Sequence, residues 1–214
     1  MRPMLFPVLL LSLWTPLLHA AASLEVDDAG IAPDRTCQLE TWLRWERHTT
    51  TAVAVPACTH RGTEFSLGLS VSDARHPTRW EASAKRPLFA SAHAAAAAVV
   101  RHGAGPGIGH GRSGVALPVS IPLDHRGMAL LHVQPGWERS ADQQGSTFGV
   151  GVELPLNDRW DLLLERQRDA AGVRGTQGGL RLAWMAGITL DLLIGRRSGG
   201  DAARWFTVGL NLAH

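Results

Sequence analysis

Beyond residue 36 the chain places apolar residues at every second position. The clearest run is TEFSLGLSVS, residues 63–72, where Phe65, Leu67, Leu69 and Val71 alternate with Glu64, Ser66, Gly68 and Ser70. Successive side chains of a strand point to opposite faces, so strict alternation predicts a strand with one apolar face. The same period runs through residues 115–123, 148–154, 160–164, 180–186, 188–194 and 206–212. It is weaker in 37–46, 51–57, 78–86 and 127–137. Residues 87–101 close the count as a strand, with a short helix as the alternative because alanine is a strong helix former.

The connections alternate in kind. THRG, LDHRG, LNDR and the lone Gly187 are tight, whereas DARHP, HGAGPGIGHGRSG, ERSADQQGS, RDAAGVRGTQ and RRSGGDAA are longer and richer in glycine or charge. Short turns at one end and long loops at the other predict an all-β fold. It is an antiparallel up-and-down transmembrane β-barrel of about 12 strands (roughly 10–12). A soluble barrel would alternate too. The aromatics separate the two readings: in the apolar phase, Trp45, Trp80, Phe148 and Phe206 sit at one end of their strands, and Phe65, Trp160 and Trp184 at the other. Aliphatic side chains fill the middle. Aromatic girdles around an aliphatic band are what a bilayer selects.

The opposite face carries Glu64, Glu81, Lys85, Glu153, Asp161, Glu165, Arg181 and Asp191, which would line the lumen. They are open to two readings, a polar path for small solutes or an ion-paired network that fills the barrel. For the first hairpin, a centre at Arg47–His48 puts Cys37 directly opposite Cys58, close enough to bridge.

Composition adds location. Arg2, the apolar run MLFPVLLLSLWTPLL and the small residues of HAAAS describe a secretory signal peptide cleaved near Ala22–Ser23. The expected organisation is a signal peptide at 1–22, a short N-terminal periplasmic segment at 23–36 and the barrel at 37–214. An exported chain reaches an oxidising compartment, where the cysteine pair can persist as a disulfide. The net charge of +2 gives no footprint for nucleic acid.

The leader, the alternating strands and the closing WFTVGLNLAH resemble Gram-negative outer-membrane β-barrel proteins. CQLETWLRW with a later PAC is similar to small proteobacterial members of that class, some described as transporters. The resemblance implies residence in the cell outer membrane and contact with its lipid. It also implies help from the barrel-insertion machinery and periplasmic chaperones during assembly. The last strand of that class carries a sorting signal; Phe206, Val208, Leu210 and Leu212 match its alternation, while His214 stands where an aromatic is usual.

Enzyme chemistry is not expected. GHGRSG offers His110 and Ser113 in a glycine-rich loop with no nearby acid, and His132 has no nucleophile beside it in sequence. His48, His76, His102 and His110 fall singly on loops, so neither a metal nor another cofactor is expected. The sequence therefore predicts a monomeric barrel that forms a narrow pore or transporter for small polar solutes. The alternative is a closed structural or surface-interaction barrel working through its outer loops.

Overall fold

The computed structural model describes residues 23–47, 49–73, 78–105, 111–198 and 203–213. The expected signal peptide at 1–22, along with His48, His76, His110 and His214, lies outside them.

The described residues form thirteen strands: β1 (Cys37–Glu46), β2 (Thr49–His60), β3 (Thr63–Ser72), β4 (Arg79–Ala90), β5 (Ala95–Ala104), β6 (Arg112–Ala116), β7 (Val119–Pro122), β8 (Leu130–Arg139), β9 (Gln144–Pro155), β10 (Trp160–Arg168), β11 (Arg174–Met185), β12 (Ile188–Arg197) and β13 (Arg204–Ala213). Each pairs antiparallel with its neighbours, and β13 returns to β1 from Gln38↔Ala213 to Glu46↔Trp205. The sheet is closed, so no strand edge is left without a hydrogen-bonding partner, the condition a sheet must meet in lipid.

Two strands, β6 and β7, make one stave, which leaves a barrel of twelve. The sequence pattern predicts a single strand through 115–123; instead the strand is interrupted at Leu117–Pro118, although Leu117 still donates to the Pro135 carbonyl at 2.9 Å and the Pro118 carbonyl still accepts from Ala97 at 3.0 Å. Proline has no N–H to give to a neighbouring strand. The register does not slip: Ala116 opposes Gly136 before the break and Val119 opposes Val133 after it, so the alternation of faces continues.

Residues 87–101 are strand on both sides of a turn. Helix propensity differs by less than about 1 kcal/mol per residue, whereas a helix here would leave the edges of β4 and β6 unpaired. Closure overrides propensity. The first hairpin has the expected register, with Glu46 opposite Thr49 and Cys37 opposite Cys58. At the next turn Arg61 and Gly62 both have positive φ, 51° and 69°, which suits the right-handed twist of a two-residue hairpin.

Call the rim where β1 begins the near rim, and the other the far rim. The expected contrast in loop length is shallower than the sequence suggests, because strands extend into the loops. The far-rim connection 105–111 is no longer than the near-rim connection 123–129, and 47–48 at the far rim is tight.

Apolar residues face out. Ile194 is 68% exposed and Trp184 60%, while Arg181 is 1% exposed and Asp191 0%. A water-soluble protein has the reverse arrangement. The outward aromatics form two belts as expected, and Trp45 stacks on Phe206 at the far rim with ring centroids 5.7 Å apart. No helix among the described residues is long and apolar enough to cross a membrane; the strands supply the crossing surface.

Candidate functional site

The lumen is built from the polar half of each strand, and it is occupied. Residues 23–36, expected to lie in the periplasm, instead run inside the barrel from Ser23, then leave it at the near rim. This corrects the sequence reading. The segment EVDDAG has no apolar period, and nothing in its own pattern marks it as internal.

Wall side chains hold the segment mainly by its backbone. Glu165 accepts the N–H groups of Glu25 and Val26, each at 3.0 Å. Gln134 accepts from Asp27 at 2.6 Å, Ser120 from Ala29 at 2.9 Å and Glu64 from Ala32 at 2.9 Å. Gln177 donates to the Ser23 carbonyl at 2.9 Å, and the Ser23 hydroxyl donates to Asp191 at 2.7 Å. Ion pairs add to this: Arg44 meets Glu25 at 2.7 Å, and Lys85 meets Asp27 at 2.7 Å and Asp28 at 3.2 Å.

Glycines on the inner wall make the space. A Cβ at Gly149 would approach Val26 to 2.7 Å, and one at Gly209 would approach Ser23 to 3.1 Å. Val26 itself is 2% exposed. The segment packs into a groove where the wall has no side chains.

The eight predicted lumen charges all face inward, in distinct neighbourhoods. Arg181 donates Nε to Asp191 Oδ1 at 2.8 Å, Nη2 to Asp191 Oδ2 at 3.1 Å and Nη1 to Glu153 at 3.3 Å. Asp161 stands opposite Arg181 on the adjoining strand. Glu64 stands opposite Lys85, and the two clamp the segment from the other wall. Glu165 holds the backbone at Glu25 and Val26, beside Gln177, which holds Ser23. Glu81 borders a cavity of 410 Å³ left beside the segment. Six carboxyl groups line that cavity (Glu25, Asp27, Asp28, Glu40, Glu64 and Glu81) against three cationic groups, Lys85, Arg101 and Arg112.

Sequence reasoning missed Ser23, Glu25, Asp27 and Asp28, which belong to the segment. It also missed Arg44, Ser120, Gln134 and Gln177, which hold it. The inward glycines of GVGVEL, with nothing opposite to fill them, were the readable sign. His132 has a partner after all, from the neighbouring stave. Its Nδ1 lies 2.9 Å from Ser120 Oγ and its Nε2 3.7 Å from Glu153. Ser120 is only 6% exposed, and Ala29 covers its hydroxyl. Of the loop histidines, His102 lies on β5, 2.8 Å from Ser113. Among the described residues no three histidine, cysteine or acidic side chains cluster as a metal site.

The predicted disulfide is present. Cys37 and Cys58 are bonded across the first hairpin at the near rim, with Cα atoms 4.1 Å apart. On β13, Phe206, Val208, Leu210 and Leu212 share the outward face, and Trp205, Thr207, Gly209 and Asn211 the inward one. Trp205 fills the lumen beneath Arg44 and Arg197, 5.2 and 5.7 Å from its ring centre, and donates to Gln177 at 2.8 Å.

Solved structures share this architecture. A structure of the KdgM porin matches with a TM-score of 0.68 and 9% identity, covering 82% of this chain and 98% of that one. KdgM in complex with disordered oligogalacturonate matches at 0.66 and 10% identity over the same shares. The NanC porin matches at 0.62 and 7% identity, again over 82% and 98%. The fold is therefore that of an outer-membrane β-barrel. No curated protein matches the chain by sequence. A conserved family, described as Uncharacterised conserved protein UCP029691, matches over residues 9–214, and the chain belongs to it.

Proposed function

We propose that the protein is an outer-membrane channel for small polar solutes whose lumen is shut by its own N-terminal segment. The observation that carries this reading is how the segment is held: by hydrogen bonds between wall side chains and its backbone. A twelve-stranded barrel with this interior has width for a peptide, and the wall behind it is mainly polar, with Leu163, Leu193 and Trp205 as its largest buried apolar side chains. Withdrawal of the segment leaves a passage lined mainly by polar side chains. The porin-like architecture supports the same reading.

The cavity chemistry narrows the solute. Oligogalacturonate, the ligand in one KdgM structure, is a polyanion. Once the segment withdraws, taking Glu25, Asp27 and Asp28 with it, the cavity wall keeps Glu40, Glu64 and Glu81 against Lys85, Arg101 and Arg112, a balanced lining that gives a polyanion no net attraction and suits small neutral solutes. The outward face of β13 serves, on this reading, as the sorting signal for membrane assembly.

A second reading rests on the Arg181–Asp191–Glu153 cluster. It is buried and ion-paired, as in a barrel meant to stay closed. Planar-bilayer recordings distinguish the two. The channel reading expects small or rare currents from the intact chain and sustained currents after deletion of residues 24–32. A folded deletion variant that carries no current refutes the channel and leaves the closed barrel.

A further inference from the structure

The outer surface of the barrel is charged in only one sign. Every aspartate and glutamate carried by a described strand points inward, whereas six arginines point outward near the far rim: Arg139, Arg166, Arg168, Arg174, Arg196 and Arg204. They occupy the contiguous arc from β8 to β13. Arg168 lies opposite Arg174, and Arg196 opposite Arg204. None of the six forms an ion pair among the described residues; the Arg168 guanidinium donates to Ser146 at 2.9 Å. Just below them lie the outward aromatics Trp137, Phe148 and Phe206.

Arginine on a lipid-facing strand is tolerated only at the interface, where its cost falls to about 0–1 kcal/mol. Six on one arc exceed what snorkelling alone explains. Between them, Pro135, Phe148, Val150, Arg166, Arg168 and Arg174 line an outward groove of 640 Å³. Its floor is apolar and its upper edge is guanidinium. That is the profile of a lipid with an acyl body and an anionic head.

Barrels of this class keep short turns on the periplasmic side, and the connections 61–62, 91–94, 156–159 and 186–187 at the near rim are short. We infer that the far rim is the outer one and that this arc is a binding surface for a phosphorylated glycolipid of the outer leaflet, one whose sugar head carries more than one phosphate. Adjacent strands are about 4.8 Å apart, so one broad head spans several staves and several guanidinium groups. Guanidinium pairs with phosphate bidentately. A head with a single phosphate would leave most of the six unneutralised. The inference rests on the lipid-facing exterior and is independent of whether the lumen conducts.

Native mass spectrometry of the full-length barrel, loaded in detergent with bisphosphorylated lipid A, tests it. Monophosphorylated lipid A, phosphatidylglycerol and phosphatidylcholine serve as competitors. The intact protein should retain the bisphosphorylated lipid in preference to all three. Each arginine near an anionic surface contributes about fivefold, so R166Q/R168Q/R174Q should lose on the order of a hundredfold in retention. R86Q, outward at the near rim, should lose nothing. Heat-modifiable migration reports folding, and if the triple variant fails to fold, R168Q and R174Q singly should each show a loss. Undiminished retention in the folded variants overturns the inference. So does equal retention of phosphatidylglycerol, which would mean a general attraction to anionic lipid.

Discussion

Replacing Glu165 with alanine should unseat the N-terminal segment without unfolding the barrel. Glu165 is 4% exposed, and its carboxyl oxygens take the N–H groups of both Glu25 and Val26. Alanine strands those two donors. A buried donor without a partner costs roughly 1–3 kcal/mol, so the upper range for two is about 6. The space vacated can admit water, which restores part of the loss; about 2–3 kcal/mol is the expected net effect. At about 1.4 kcal/mol per tenfold, the ratio of seated to withdrawn segment falls by roughly 30–150-fold. Planar-bilayer recording reads this as a rise in open probability of similar size. E165Q keeps one acceptor oxygen and should recover much of the closed behaviour. The assay requires that E165A still migrate as a folded, heat-modifiable barrel. If that folded variant conducts no more than the parent, and proteases cut residues 24–32 no faster, the reasoning fails.

Other expectations follow from other parts of the barrel. Gly149→Leu should displace Val26 and open the channel, because a Cβ there already lies 2.7 Å from the Val26 Cγ2 atom; bilayer current checks it. C37S/C58S should leave a folded barrel that is less stable by about 3 kcal/mol, the chain-entropy value for a loop of this size, with the bonded residues 21 apart in sequence; urea unfolding in lipid measures it. Arg181→Met should cost about 3–5 kcal/mol by leaving Asp191 and Glu153 buried without a cation. Adding D191L should recover part of that loss in the same unfolding assay. Leu192→Arg, at mid-strand on the outer face, should cost about 2–4 kcal/mol in lipid, whereas Ile194→Arg, nearer the far-rim arginines, should cost little. Equal costs at 192 and 194 would contradict the assigned depth.

Much of the fold was legible because a strand has period two, and the period assigns every residue to a face. Phe65, Leu67 and Leu69 point outward and Glu64 inward by the same rule that distinguishes them in sequence. The Cys37–Cys58 bond followed from symmetry about one turn. What the pattern could not decide was which face met water. Alternation is the same in a soluble barrel, and only the aromatic positions broke the tie. Pro118 shows a second limit: a missing N–H interrupts a strand without disturbing the alternation of side chains, so periodicity passes over it. Loop lengths were overestimated for a related reason. Glycine-rich residues such as His102–Ala104 look like loop, yet they pair because the neighbouring strands require partners.

The N-terminal segment lay beyond this method altogether, since its fold is not local. Its residues alternate with nothing. They are placed by groups more than a hundred residues away: Glu165, Gln134 and Asp191. The wall nevertheless carries its imprint. Glu165 faces Gly151 on one neighbouring strand and Gln177 on the other; the glycine brings no side-chain donor, so the wall alone offers its two carboxyl oxygens only the Gln177 amide. Gly149, Gly151 and Gly209 open a groove on the same side. A buried carboxyl group with fewer donors than it can accept, beside a surface without side chains, points to backbone N–H groups from a chain that the wall does not contain. In a barrel with its described strands already paired, such a chain comes from a terminus or from a connection folded inward. Ser23–Asp28 has the matching features, free backbone donors and acids that answer Lys85 and Arg44. Unfilled inner glycines next to unsatisfied inner carboxyl groups are thus a sequence sign of an occupied lumen, and one that strand periodicity alone does not reveal.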